Sequence, residues 1–397
     1  MAKTTRMTSN IIPKIRSYIF GQKIEAEKKV VKISDYSQHL ELGVKKKYAL
    51  LSYLPEPVQA SLEGMVTNQF SNDGLGIAWA TVLNKLGYVV DIISWNDTEF
   101  VPERSYDLFV GHGGKNFEII HKQLSDKVKS IYFSTGSYWE YHNMQEVRRF
   151  HSFKLRHGID LKYDRYIQES EEYANRMASG IICLGNLDCK NTYKKFSQVY
   201  NLNIGCFPDH NQRLDSDIGT QELRKNFLFL SGGGNIHKGL DIVLDTFAEN
   251  RQYNLFIVTE LDKDFEHYYH KILKLPNVHS YGFVPMRSKL YYRILDKCSY
   301  LVFPSCSEGS PGSVVESMQR NILPIVSKES HIDVNGFGVK LKKSTTIDLK
   351  SAISEVTKYS EETFIKKSKL AARMARTRHS PQNFELQLAN AIKKIIR

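Results

Sequence analysis

What the chain is short of narrows the field first. Its 397 residues hold five cysteines, Cys183, Cys189, Cys206, Cys298 and Cys306. None forms a CxxC pair, so neither a zinc ribbon nor a secreted disulfide frame is indicated, and a reducing cytoplasm fits best. No apolar run nears the roughly 18 residues needed to span a bilayer, and the start lacks a signal peptide's apolar core. There is no internal repeat of about 20–50 residues and no low-complexity tract. No convincing metal-binding pair of carboxylates stands out, so no metal or cofactor is expected.

What is present is material for large cores. Apolar residues make up 41% and charged residues 25%, with 22 Tyr and 20 Phe to bury. At this length two packed domains are expected. The net charge of +12 sits unevenly. Residues 1–47 carry eleven Lys and Arg against four acids, and residues 363–397 carry nine against one. Basic ends suit an anionic surface, although ordinary solubilising charge reads the same way. Nucleic acid is the least favoured such surface, because the basic residues cluster at the termini and not in an aromatic-lined groove. Ile11–Phe20 is apolar and basic, with no acid before Glu25, and suits a peripheral membrane contact, a transit peptide or a disordered leader.

Along the chain, short apolar runs alternate with helical patterns. Strands are expected at Tyr48–Leu54, Val89–Ile93, Asp107–Val110, Ser130–Phe133 and Gly180–Leu184, with helices between them, two starting near Glu140 and Tyr166. A polar, turn-rich break follows at Pro208–Gly219. The alternation then restarts with strands at Phe227–Leu230, Leu255–Thr259, Val278–Val284, Tyr300–Phe303 and Leu323–Val326. Such alternation implies parallel, doubly wound sheets. The expected fold class is therefore α/β, two Rossmann-like domains facing a central cleft. The divisions are a basic leader (1–46), a first domain (47–207), a linker (208–225), a second domain (226–380) and a basic amphipathic helix (381–397) that could cross back to the first. Ligands should sit beyond the carboxyl ends of the strands, in the cleft.

Two stretches carry chemistry. In Pro304–Val326, PSCSEGSPGSVVESMQRNILPIV, Gly309, Pro311 and Gly312 keep Glu308 in a loop and start a helix near Ser313. Ser313 and Glu316 have the spacing of a capping box, so Glu316 reads either as a cap or as a ligand contact. Free amides at that helix start offer a place for a phosphate. In Phe227–Asp241, FLFLSGGGNIHKGLD, the glycines fit a dinucleotide fingerprint poorly, since His237 stands where its last glycine belongs. Lys238 opposes the helix dipole there and makes sense if a phosphate arrives.

Together, in this order and spacing, the two stretches resemble the carboxyl-terminal domain of family 4 (group 1) retaining glycosyltransferases, which have the GT-B fold. The resemblance implies that Lys238-Gly239 meets the donor diphosphate, with Gly233, Gly234, Ser313 and Val314 adding backbone contacts. It implies that Glu308 holds donor-sugar hydroxyls beside Gly309 and Gly312, and that Glu316 holds the ribose. The amino-terminal half matches in outline only: the turn around Asn72, Asp73 and Gly74 resembles the family's glycine loop, and His112 its cleft histidine near the reacting carbon. One departure is plain: the family's arginine five or six residues before the lysine is replaced by Gly233 and Gly232.

What the resemblance implies is sugar transfer from a nucleoside-diphosphate donor to a glycan or lipid-linked acceptor, in cell-surface polysaccharide or glycoconjugate synthesis. The transition state is oxocarbenium-like, and negative charge builds on the leaving phosphate. Oriented donors in a dry cleft stabilise that charge. A non-catalytic GT-B partner protein and a nucleotide-sugar epimerase are the alternatives.

Overall fold

The structure is a computed structural model that describes residues 31–40, 46–65, 72–211 and 220–397. The apolar-basic stretch Ile11–Phe20 and residues 212–219 of the linker lie outside these. The first sheet comprises β1 (Ile33–Tyr36), β2 (Lys47–Tyr53), β3 (Tyr88–Ser94), β4 (Leu108–Gly111), β5 (Lys129–Ser134), β6 (Gly180–Leu184) and β7 (Val199–Leu202). Their order is β1-β3-β2-β4-β5-β6-β7. All neighbours are parallel except β1, which pairs antiparallel with β3 at the edge. The second sheet comprises β8 (Asn226–Leu230), β9 (Asn254–Val258), β10 (Val278–Ser280), β11 (Tyr300–Phe303), β12 (Leu323–Val326) and β13 (Val339–Lys340). It is wholly parallel, in the order β10-β9-β8-β11-β12-β13.

Parallel strands covered on both faces should be apolar throughout. All seven residues of β3 and all four of β11 are buried. The largest fully buried side chains include Trp79, Tyr132 and Phe109 in the first half and Tyr300, Phe227 and Phe229 in the second. Each half therefore has ample apolar area to bury on its own sheet, at roughly 25 cal/mol per Å².

Three local differences from the sequence reading have physical causes. β1 lies inside the stretch read as a leader: Ile33 and Tyr36 bury themselves on β3, and the Asp35 N–H donates to Asp91 Oδ1 at 2.9 Å. The turn around Asn72, Asp73 and Gly74 is the start of a helix, Asn72–Lys85. No helix starts at Tyr166. The helix Trp139–His157 stops at Gly158, which takes a left-handed φ of 74°. The chain then runs back along that helix, fastened by its polar side chains. Asn143 donates to the Ile167 carbonyl and accepts from its N–H, both at 2.9 Å. His142 Nε2–H donates to the Arg165 carbonyl at 2.8 Å, and Glu146 Oε1 accepts the Arg165 N–H at 2.7 Å. These side chains pair the N–H and the carbonyl of both Arg165 and Ile167, bonds that an extended path cannot make within itself.

The same helix joins the halves. Buried Arg149 donates to the carbonyls of Ile236 (3.3 Å) and Pro304 (2.7 Å), and Arg156 pairs with Asp241 and Asp245 on the helix Leu240–Glu249. The last helix, Pro381–Ile395, crosses back to the first half. Its apolar face, Phe384, Leu388, Ala391, Ile392 and Ile395, is buried. A Cβ at Gly180 of β6 would lie 2.6 Å from Ile395, so glycine is what lets the helix approach. Lys393 and Lys394 stay exposed on the outer face. Among the described residues, no helix is long and apolar enough to cross a membrane.

Candidate functional site

In both sheets the strand order reverses beside the first strand of the doubly wound unit: β2 lies between β3 and β4, and β8 between β9 and β11. Loops leaving the two central strands on either side of such a reversal part from one another and open a crevice. The two chemistry-bearing stretches emerge at the second reversal, 231–239 after β8 and 304–311 after β11.

They meet in one contact. Lys238 Nζ forms an ion pair with Glu308 Oε1, each side chain 11% exposed. Ser305 Oγ–H donates to the same oxygen at 2.6 Å. Burial alone would raise the Glu308 carboxyl, but the nearby Lys238 charge, His237 and the hydrogen bonds from Lys238 and Ser305 outweigh it and hold it at about 2. The glutamate is therefore ionised at any physiological pH. Its backbone is fixed as well: the N–H donates to the Glu329 carbonyl at 2.9 Å and the carbonyl accepts from His331 Nδ1–H at 2.8 Å. Gly239, which follows the lysine, has a φ of 82°, and a Cβ there would stand 2.6 Å from the Pro304 carbonyl oxygen. Only glycine permits the two loops to close on each other at that point.

The helix after the second loop runs Gly312–Gln319, with Pro311 as N-cap and no side-chain cap. It therefore starts one residue before the expected Ser313, and Ser313 and Glu316 do not form a capping box. Pro311 holds a φ of −67° and ψ of 118°, which ends the loop, and Gly312 enters the first turn. The amide of Val314 is taken by the Pro311 carbonyl at 3.1 Å. Those of Gly312 and Ser313 have no acceptor among the described residues. They are the donors that the positive end of the helix presents to an anion.

Glu316 is 2% exposed and points elsewhere. Its oxygens receive Arg287 Nη2 at 3.0 Å and Nε at 3.3 Å. Burial raises the Glu316 carboxyl against the pull of Arg287. Arg287 also donates to the carbonyls of Phe207 (2.6 Å) and Pro208 (3.0 Å), at the end of the first half.

From the first half, His112 sits at the carboxyl end of β4, half-buried among Tyr53, Trp95 and Phe133. Its Nδ1 donates to the Phe133 carbonyl at 2.8 Å, which leaves Nε2 as the free acceptor, and burial lowers its pKa. The described contacts of its ring lie within the first half; the structure does not bring it against Lys238 or Glu308. The loop after β5 does reach the site. A Cβ at Gly309 would be 2.1 Å from the Thr135 carbonyl oxygen, and Ser137 Oγ and Ser307 Oγ are 2.6 Å apart.

His237 is a buried bridge between the halves. Its Nε2–H donates to the Ser307 carbonyl at 2.6 Å, and Nδ1 faces Glu146 Oε2 at 3.1 Å. Burial pushes His237 down and Glu146 up, which favours a neutral pair. Donor atoms of His142, Glu146 and His237 lie within 4.8 Å of one another, near enough to be compared with a metal site. Both histidines, however, direct Nε2–H at carbonyls and Glu146 accepts an amide, so the arrangement is that of a hydrogen-bonded network. Gly233 and Gly234 carry φ values of 116° and 78°, a turn reserved for glycine.

Residues missed from sequence are Ser305, His331, Arg287, His142 and Glu146. Only the i, i+4 spacing of His142 and Glu146 was a readable signal.

Residues 212–334 match the family described as glycosyl transferases group 1. None of the curated proteins matches the chain. Among solved structures, HepE of Anabaena in complex with UDP and glucose shares 16% identity at a TM-score of 0.55, over 88% of this chain and 99% of that one. Sucrose-phosphate synthase of Thermosynechococcus elongatus shares 12% at 0.60, over 88% and 99%. WaaG, a glycosyltransferase involved in lipopolysaccharide biosynthesis, shares 14% at 0.51, over 87% and 98%.

Proposed function

We propose that this chain, whose residues 212–334 match the group 1 glycosyltransferases and whose fold is GT-B, is such an enzyme and moves a sugar, with retention, from a nucleoside diphosphate to a glycan or lipid-linked acceptor. The observation that carries this reading is the contact of Lys238 with an ionised Glu308 at the strand-order reversal, next to the open amides of Gly312 and Ser313. Lys238 and those amides neutralise the diphosphate as it leaves. Donors of this kind, fixed in a dry site, contribute about 3–4 kcal/mol each to the transition state. Glu308 accepts hydrogen bonds from sugar hydroxyls and lends negative charge near the oxocarbenium-like carbon. The free Nε2 of His112 is offered to the sugar from the other half, whereas Glu316, sealed in against Arg287, anchors the helix and is not assigned the ribose.

HepE was solved with UDP and with UDP-glucose, so uridine donors come first in any panel. The exposed basic face of the last helix suits an acceptor presented at an anionic surface. The test is to incubate wild type and Glu308→Gln with UDP-, GDP- and ADP-sugars, with and without glycan acceptors. Transfer or slow hydrolysis by wild type, lost in the variant, supports the reading. A changed sugar still on its nucleotide would identify an epimerase, and no turnover of any donor would favour a non-catalytic partner. Retention is read from the anomeric signals of the first product formed.

A further inference from the structure

We infer that Arg165, from the amino-terminal half, is a cationic contact for the donor diphosphate held by the carboxyl-terminal half. The inference rests on the donor-site reading above. The glycine turn after β8 is open on its outer side: nothing lies within 4 Å of a Cβ placed at Gly232. Over Gly234 lies Arg165, whose Cγ and Cδ would be 2.9 and 3.0 Å from a Cβ at that position. Any side chain at 234 would displace the arginine, so the turn's bare backbone is what admits it.

The guanidinium itself is uncommitted. Arg165 is exposed, and among the described residues its only hydrogen bonds are those of its backbone N–H and carbonyl. The other cations near the two loops are spoken for: Lys238 by Glu308, Arg149 by two carbonyls, Arg287 by Glu316 and two carbonyls. The neighbouring carboxylate, Asp164, is engaged with the Ile236 N–H at 3.2 Å. A diphosphate reaching the turn would meet a lysine already half neutralised, and Arg165 supplies the missing positive charge. Its planar fork matches phosphate oxygens better than an ammonium does.

Its backbone is placed with care for an exposed residue. The N–H and carbonyl of Arg165 are held by Glu146 and His142, and Glu146 in turn meets His237, the residue before Lys238. The two cations are thus tied to one buried network that spans the halves. The charge of Arg165 is also close enough to add to burial in lowering the Lys238 ammonium. The cation is supplied across the cleft, where the sequence has Gly232 and Gly233 in place of the arginine of the resembling family.

The test measures binding of UDP, GDP and ADP, and of the parent nucleosides by competition, to wild type, Arg165→Ala and Arg165→Lys, together with unliganded thermal midpoints. Expected for Arg165→Ala is a loss of about tenfold or more for the preferred diphosphate, little change for its nucleoside and an unchanged midpoint, with Arg165→Lys in between. Diphosphate binding by Arg165→Ala equal to wild type overturns the inference, as does an equal loss for diphosphate and nucleoside. If wild type binds no diphosphate, the donor-site reading fails and this inference falls with it.

Discussion

Glu308 and Glu316 stand eight positions apart in one loop-and-helix stretch, each against a cation, yet the fold treats them in opposite ways. Glu308 keeps an edge toward solvent, faces a lysine and a serine hydroxyl, and is pulled down to about 2. Glu316 is sealed in, and burial raises it even though Arg287 grips both its oxygens. The first arrangement keeps a charge poised where a ligand can arrive. The second spends its charge on architecture, because Arg287 also clasps the carbonyls of Phe207 and Pro208, where the first half ends. Identical residue types at a readable spacing thus divide between a poised, partly open charge and a sealed anchor according to what surrounds them.

Substitutions should pull the two apart. The largest effect expected is on turnover: Glu308→Gln lowers the rate of sugar transfer by about 10²–10³-fold, measured well below the variant's urea midpoint because losing the Lys238 pair also lowers stability. A variant that keeps full activity would move the chemistry away from this carboxylate. Glu316→Ala should act on stability, with a loss of about 3–5 kcal/mol in urea unfolding, because buried Arg287 loses the carboxylate that grips it at both oxygens. Replacing both partners, as Arg287→Met with Glu316→Leu, should recover most of that loss. If the double variant is as unstable as the single, the pair is not what anchors the region. Lys238→Met comes next: about tenfold weaker nucleoside diphosphate binding by calorimetry, and no comparable change in Glu316→Gln.

The smallest contrast is in acid. A free glutamate titrates near ~4.3. With its folded value depressed, Glu308 contributes stability that is complete above that pH and drains away as pH falls from about 4 to about 2. Glu316, with its value raised, has the other sign: its contribution is complete below the free value and is lost as pH rises through the folded one. Thermal midpoints followed from pH 6 downward should therefore flatten in Glu308→Gln and steepen in Glu316→Gln. Parallel curves for the two variants would mean that their environments do not differ in this way.

Much of the frame was legible in the chain because parallel strands are short apolar runs: Gly180–Leu184, Tyr300–Phe303 and Leu323–Val326 fall where the pattern puts them. The meeting of Lys238 and Glu308 was legible because two glycine-rich turns each follow a strand. At Ser313 the local spacing fits a capping box, whereas Pro311 caps the helix two residues earlier and Gly312 enters its first turn. The chain near Tyr166 reads as a helix start because its own pattern allows it, and no local signal shows that Asn143, His142 and Glu146 will satisfy the backbone of Arg165 and Ile167 from a neighbouring helix. Arg287, His331 and Arg165 were out of reach for a similar reason: their partners are remote in sequence.

The contact at Gly309 carries one more implication. Its α-carbon nests so tightly under the Thr135 carbonyl that a single methyl group would act as a wedge in the seam between the two lobes. Prising them apart there would admit bulk solvent beside Glu308, and under the proposed function transfer would give way to hydrolysis without any reacting group having been touched.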